Sequence, residues 1–293
     1  MPIILSNANN TGNFIGVNTA GGGNLTMSIT TADPLPSSTP TPTPTTTPSI
    51  SITPSISITP TPTVTPTPSS TPTATIVTSG LVVNLDAGNP ASYPGSGTTW
   101  TDLSGNGNNV TLVNSPTYNS GNSGYLVFNA SNQYGAGTDL DLDYITIEAW
   151  IYSTAGGNNG YVVNKNYGGG TVPYSLSLGN TQFGATNGMG FYRGPWYVTN
   201  VGTNIMNSNT WYQVVGTFDG TTLNYYLNAS LNASSSPGGG VLPKNDNVFD
   251  IGRYANDNAY FGGRIAVVRL YNRALNSTEI TQNYNAIKTR YGL

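Results

Sequence analysis

Apolar residues are spread unevenly along this chain, and the unevenness divides it into three regions. Up to residue 33 they come in brief runs between Asn and Gly: Ile3-Ile4-Leu5, Phe14-Ile15-Gly16-Val17 and Leu25-Thr26-Met27-Ser28-Ile29. Each run reads as a short strand ended by a turn. From residue 34 to residue 78 Thr, Pro and Ser dominate and no side chain is charged. Proline fixes φ and lacks an N–H donor, which excludes helix and central strand. An extended polyproline II stalk is left, and its about 42 residues from Pro34 to Thr75, at ~3.1 Å each, would reach roughly 130 Å. From residue 79 onward the apolar residues alternate in short runs between Gly and Asn turns, the pattern of a sandwich or barrel.

In this third region Ile145, Ile147, Ala149 and Ile151 alternate with Thr146, Glu148 and Trp150, so one face is apolar and the other polar or aromatic. Other strand-like runs are Leu81 to Leu85, Tyr125 to Phe128, Tyr161 to Val163, Tyr174 to Leu178 and Met189 to Tyr192. Trp211 to Phe218 and Thr222 to Leu227 flank Asp219-Gly220, a hairpin turn whose glycine tolerates positive φ. Arg264 to Tyr271 forms the last strand. A single helix follows: Asn276 caps it, Glu279 takes the capping-box position, and Ile280, Tyr284 and Ile287 make its apolar stripe. The pattern predicts an all-β domain over residues 79–293 with one short C-terminal helix, behind a stalk (34–78) and a small N-terminal segment (1–33).

About 33 residues cannot build an independent core. The N-terminal segment is therefore expected to anchor to sister chains or to a larger particle, with an unstructured tail as the alternative. Within the stalk the hexapeptide Pro-Ser-Ile-Ser-Ile-Thr occurs twice, at 48–53 and 54–59. Its Ile50, Ile52, Ile56 and Ile58 fit a parallel bundle that buries them on its axis, against a plain flexible spacer.

Charge narrows the partners. The net charge is −3 and no Lys or Arg precedes Lys165, so nucleic acid is not expected as a partner. No apolar run approaches the roughly 20 residues needed to cross a bilayer, so membrane insertion is not expected either. The first residues lack a basic region followed by an apolar one, which argues against a secretion signal and for release by lysis, as virion proteins are released. Absence of Cys removes disulfides and thiolate chemistry.

Five segments, in order, resemble the laminin G-like, concanavalin A-like jelly rolls. They are LVVNLDAGNPASYPGSGTTWTDLSGNGNNVTL (81–112), YLVFNASNQYG (125–135), ITIEAWIYS (145–153), WYQVVGTFDGTTLNYYLNAS (211–230) and IGRYANDNAYFGGRIAVVRLYNRALNSTEI (251–280). The first of them looks most like versions in structural proteins of tailed phages, notably those of cyanobacteria. The resemblance implies two antiparallel sheets packed face to face, an all-β sandwich, with binding at rim loops or on the concave face. It does not imply a ligand, because the fold serves lectins, adhesion modules, glycanases and spacers alike.

Catalysis is not expected. Glycoside hydrolysis needs two carboxylates flanking the scissile bond. Glu148 and Glu279 are the only glutamates, Glu279 is accounted for as a helix cap, and Glu148 has no acidic neighbour in its strand. Without His there is no imidazole base, and without His or Cys no zinc site. No cofactor is required. Calcium is the metal whose oxygen ligands the loops could supply, from Asp102 and Asn106 in one loop and Asp257 in another, although Asx-Gly turns need no metal to explain them.

Carbohydrate recognition needs aromatic faces and planar polar groups. Tyr192, Arg193, Trp196 and Tyr197 surround a Gly-Pro turn, and Tyr254, Asn258 and Tyr260 lie in another loop-rich stretch. These seven are the candidate glycan contacts, while Trp150 and Trp211, within strong strands, are expected to pack. The sequence thus reads as a non-catalytic virion surface protein, a capsid decoration or fibre. Residues 1–33 would dock to other virion proteins, three chains would assemble, and the sandwich would meet host cell-surface polysaccharide. A capsid-stabilising protein without a ligand and a secreted bacterial carbohydrate-binding module are the alternatives.

Overall fold

The computed structural model of the chain describes residues 16–18, 26–28, 75–154, 160–165, 171–178, 187–193, 206–255 and 259–293. The chain divides into two units, Met1–Thr67 and Pro68–Leu293. In the first, β1 (Gly16–Asn18) and β2 (Thr26–Ser28) pair antiparallel with Val17 opposite Met27. The expected strand at Ile3 to Leu5 and the stalk as far as residue 74 lie outside the described residues.

The second unit is built from short strands. In chain order they are β3 (Leu81–Asp86), β4 (Thr99–Trp100), β5 (Val110–Val113), β6 (Thr117–Asn119), β7 (Tyr125–Asn129) and β8 (Tyr134–Ala136). There follow β9 (Ile145–Ser153), β10 (Gly160–Lys165), β11 (Thr171–Leu178), β12 (Asn187–Arg193), β13 (Thr210–Phe218) and β14 (Leu223–Leu227). The last are β15 (Ser230–Ser235), β16 (Phe249–Ile251), β17 (Arg253–Tyr254), β18 (Ala259–Tyr260) and β19 (Gly262–Tyr271), before the helix α1 (Ser277–Ile287).

Two antiparallel sheets carry the fold. A seven-stranded sheet runs β12-β11-β10-β16-β8-β5-β4, and an eight-stranded one runs β15-β14-β13-β9-β19-β7-β6 with β3 also paired to β19. β7 and β3 share one edge of β19, meeting Gly262 to Ile265 and Val267 to Tyr271 respectively. One core lies between the sheets. Ile145, Ile147, Ala149 and Ile151 of the eight-stranded sheet meet Val163, Leu176, Phe249 and Ile251 of the other, all fully buried. At ~25 cal/mol per Å² each such side chain contributes about 1.5–3 kcal/mol by leaving water. The period-two alternation of β9 is thus a face assignment, as the sequence predicts. The hairpin at Asp219 is present too: Gly220 sits at φ 100°, and the Asp219 carboxylate accepts from the N–H groups of Thr221 and Thr222.

The other face of β9 is occupied from outside by α1. Asn276 and Glu279 close a capping box at its start, each side chain accepting from the other's backbone N–H. Trp150 stacks on Tyr291 (centroids 4.5 Å) and Tyr284 (5.7 Å), and Trp211 lies beside them. Beneath this aromatic layer Glu148, 1% exposed, accepts four hydrogen bonds. They come from Trp150 Nε1 (3.3 Å), Gln213 Nε2 (2.9 Å), Arg269 Nη1 (3.1 Å) and Asn283 Nδ2 (2.7 Å). A carboxylate this deep is stable only when paired and hydrogen-bonded throughout. Asn283 reaches further: its Oδ1 accepts the Val77 N–H, and the Tyr271 hydroxyl donates to the Val77 carbonyl. The chain entering the domain is therefore tied to the helix that ends it.

Glu148→Gln leaves Arg269 buried without its counter-charge and is expected to lower unfolding stability by about 3–5 kcal/mol, measured by urea titration. Leu231→Ala, at an exposed position, is the control and should stay within about 0.5 kcal/mol of the wild type.

Candidate functional site

The outer face of the seven-stranded sheet differs from the helix-covered one. Strand pairing lines up one residue from each of its strands in a row: Gly190, Ser175, Asn164, Asp250, Ala136, Thr111 and Thr99. Their neighbours along each strand, among them Val163, Leu176, Phe249 and Ile251, point into the core, so the row points away from it. No large apolar side chain interrupts it.

Its centre is buried and incompletely bonded. Asn164 is 0% exposed, as is the Asp250 side chain, and Ser175 is 4% exposed. Yet Asn164 Oδ1 and Nδ2, Ser175 Oγ and Asp250 Oδ1 have no hydrogen-bond partner among the described residues. A buried polar group left without a partner costs about 1–3 kcal/mol. Three neighbours in that condition on adjacent strands make a cluster of donors and acceptors directed at the same space.

Asp250 is partly neutralised. Arg253 donates to its Oδ2 from Nε (2.9 Å) and Nη2 (2.8 Å), and the guanidinium lies 3.6 Å from the centroid of the Tyr134 ring. Burial raises the Asp250 carboxyl to about 6, with Arg253 pulling the other way. Aromatic faces border the row. Tyr161 stacks on Tyr254 at 4.8 Å with Val172 against them, and Tyr260 lies 6.4 Å from Tyr134.

Of the seven expected contacts, Tyr192, Arg193, Tyr254 and Tyr260 lie among the described residues. Tyr192 and Arg193 end β12, its edge strand, with Arg193 opposite Thr171. Tyr260 is half-buried and pairs with Arg253 across the β17–β18 hairpin. Tyr254 is buried, so its stacked ring supports the border and shows little surface of its own. Trp196, Tyr197, Asp257 and Asn258 lie outside the described residues.

The loop expected to offer Asp102 and Asn106 to calcium uses both within the protein. Asp102 Oδ1 accepts from the Asn84 and Ser104 N–H groups, and Oδ2 from the Ser104 hydroxyl and the Asn108 N–H. Asn106 donates to the Leu81 carbonyl. Among the described residues no three His, Cys, Asp or Glu side chains are grouped as a metal would need.

Asn164, Ser175, Asp250, Arg253, Tyr134 and Tyr161 are absent from the sequence-based candidates. A signal was present in two places: single polar residues break the apolar runs Val162-Val163-Asn164 and Phe249-Asp250-Ile251. What joins them is pairing between strands far apart in sequence, which a local pattern does not reveal.

Residues 120–281 match the family model described as the concanavalin A-like lectin/glucanases superfamily. The chain belongs to that superfamily. Among solved structures its sandwich is similar to domain 4 of AbnA, a GH43 extracellular arabinanase from Geobacillus stearothermophilus, in complex with arabinotriose. There the TM-score is 0.57 and identity 16%, over 70% of this chain and 98% of that domain. It is also similar to the binding domain of Paraclostridial Mosquitocidal Protein 1 (TM-score 0.51, 20% identity, 71% of this chain). The binding domain of Botulinum Neurotoxin DC in complex with SialylT gives TM-score 0.51 and 11% identity over 72% of this chain. The match spans 52% of each toxin domain, about half its length. At such identities the likeness is one of fold. No curated protein matches the chain by sequence. Of its two glutamates, Glu148 is enclosed under α1 and Glu279 is bound to Arg273 at 2.7 and 2.9 Å, neither of them on the seven-stranded sheet.

The Asp250 carboxyl titrates higher in the fold (about 6) than its ordinary 3.8. The folded state therefore holds the extra proton between those values, and this residue's contribution to stability rises as pH falls through that window. The displacement corresponds to roughly 3 kcal/mol. Denaturation at pH 4 and pH 7 should show the wild type gaining on Asp250→Asn at the lower pH; an unchanged difference between the two proteins would contradict the assignment.

Proposed function

We propose that the sandwich is a non-catalytic glycan-binding module whose ligand lies along the row Ser175, Asn164 and Asp250. The observation that carries this reading is the buried set of unpartnered donors and acceptors on the outer side of the seven-stranded sheet. Sugars present many hydroxyls, each able to donate and to accept, so they match mixed polar groups bordered by aromatic rings. Trp196 and Tyr197 are proposed to add stacking surface from the segment that follows β12.

The setting follows from the sequence. An uncharged Thr/Pro-rich stalk and an opening segment resembling those of phage structural proteins support display on a virion, as a capsid decoration or fibre reaching host polysaccharide. Residues 1–33 are proposed to dock to other virion proteins in a trimer. Tethering several copies lets weak single-site binding add up to useful avidity.

The full chain applied to a broad glycan array should give discrete signals that Asn164→Ala and Trp196→Ala each reduce at least tenfold without loss of fold. Silence across the array, or release of reducing ends from a bound polysaccharide, would overturn the proposal. Native mass spectrometry should show three chains; a monomer would remove the trimer.

A further inference from the structure

The charges of this domain say which sugars the row can accept. Among the described residues, six of the nine Lys and Arg side chains are paired with carboxylates. Lys165 bonds Asp139 and Asp141, Lys244 bonds Asp143, and Arg253 bonds Asp250. Arg269 bonds Glu148, Arg273 bonds Glu279, and Arg290 bonds Asp86. Arg264 lies over the rings of Tyr125 and Tyr152 and Lys288 over Tyr284, all on the helix-covered side. The ninth, Arg193, ends the edge strand β12.

Among the described side chains the cation adjoining the row is Arg253. Both of its donating nitrogens reach Asp250 Oδ2, and its flat face rests on Tyr134, so its charge is already answered. The free group beside it, Asp250 Oδ1, is an acceptor that attracts a hydroxyl proton, and the pair as a whole offers a carboxylate or sulfate no counter-charge. Asn164, next in the row, supplies a donor and an acceptor, and Ser175 supplies one hydroxyl. Side chains on adjacent strands stand about 5 Å apart, so Asp250 and Asn164 can grip neighbouring hydroxyls of one ring. Ser175 lies about 10 Å from Asp250 across two strand spacings, within the reach of a second ring.

We infer that the site selects neutral oligosaccharides, reading adjacent hydroxyls of one sugar with Asp250 Oδ1 and the Asn164 amide, and that it rejects sialylated, uronic-acid and sulfated glycans. This rests on the glycan-binding reading above and narrows it. Arg253, one-fifth exposed, lies against Asp250 and is the described side chain that the ligand must pass.

The test uses the full chain on immobilised glycans in matched pairs, each neutral oligosaccharide beside its sialylated or sulfated form. The expected result is binding to neutral members with at least tenfold weaker signal on the acidic ones. Asn164→Ala and Ser175→Ala should each cost at least tenfold on the neutral members, with circular dichroism unchanged. Binding that requires the acidic group would overturn the inference while leaving the glycan-binding reading intact. So would acidic-glycan binding that Arg193→Ala abolishes, since the ligand would then be held at the sheet edge. Neutral binding that neither Asn164→Ala nor Ser175→Ala weakens would also overturn it. Silence on every pair would overturn both readings together.

Discussion

A single carboxylate, Glu148, sets the terms for the rest of this domain. It sits in the middle of β9, where alternation with the core residues leaves it no route to water once α1 has docked. Burying it requires donors from every side, and it finds them on β9 itself, β13, β19 and the helix. Removing any one donor leaves a charge under-bonded in a low-dielectric layer, so the four elements hold each other in place. Because Asn283 also accepts the Val77 N–H, the same cluster fixes where the chain enters the domain.

This arrangement makes the two sheet faces unequal. The eight-stranded sheet spends its outer face on the helix, on Trp150 and Trp211, and on the cations over Tyr125, Tyr152 and Tyr284. Among the described residues no helix covers the seven-stranded sheet, and at the centre of its polar row Asn164 Oδ1 and Nδ2, Ser175 Oγ and Asp250 Oδ1 have no partner. The contrast lies in bonding, since both clusters are buried. The Glu148 carboxylate itself is bonded throughout, while Gln213 Oε1 and the Tyr291 hydroxyl near it have no partner among the described residues; the row differs in gathering four such atoms, from Asn164, Ser175 and Asp250, on three adjacent strands.

The sequence made much of this fold legible, and the reasons differ by element. β9 was readable because one face is buried by one core, which forces strict alternation over Ile145 to Ile151. The helix was readable because its cap chemistry is local, confined to Asn276 and Glu279. The hairpin at Asp219-Gly220 was readable because a turn is a property of consecutive residues. The site was not, since it exists only after pairing: Asn164 meets Ser175 across one hairpin, but meets Asp250 only when β16 is inserted beside β10. The sequence drew attention instead to aromatic residues near turns, of which Tyr254 proves to be buried packing and Tyr260 a border of the site. Asp102 shows a related ambiguity. A carboxylate in an Asn/Gly loop resembles a metal ligand and equally resembles a loop staple, and only the four protons it accepts separate the two.

The proposal of binding without cleavage, in a superfamily of lectins and glucanases, turns on where the described carboxylates lie. Cleavage needs two carboxyl groups across one glycosidic bond, one of them able to give a proton. Asp250, with its raised carboxyl, has the second property. Its described row neighbours are Asn164 and Ala136, however, and the remaining oxygen of its pair is held by Arg253. Asp139 and Asp141 face Lys165 instead, at the end of β10. A carboxyl flanked by an amide and an arginine can receive a hydroxyl proton in a hydrogen bond, and among the described residues none of its neighbours in the row is a second carboxylate. Recognition by hydrogen bonding, the role proposed for it, asks no more of Asp250 than that geometry supplies.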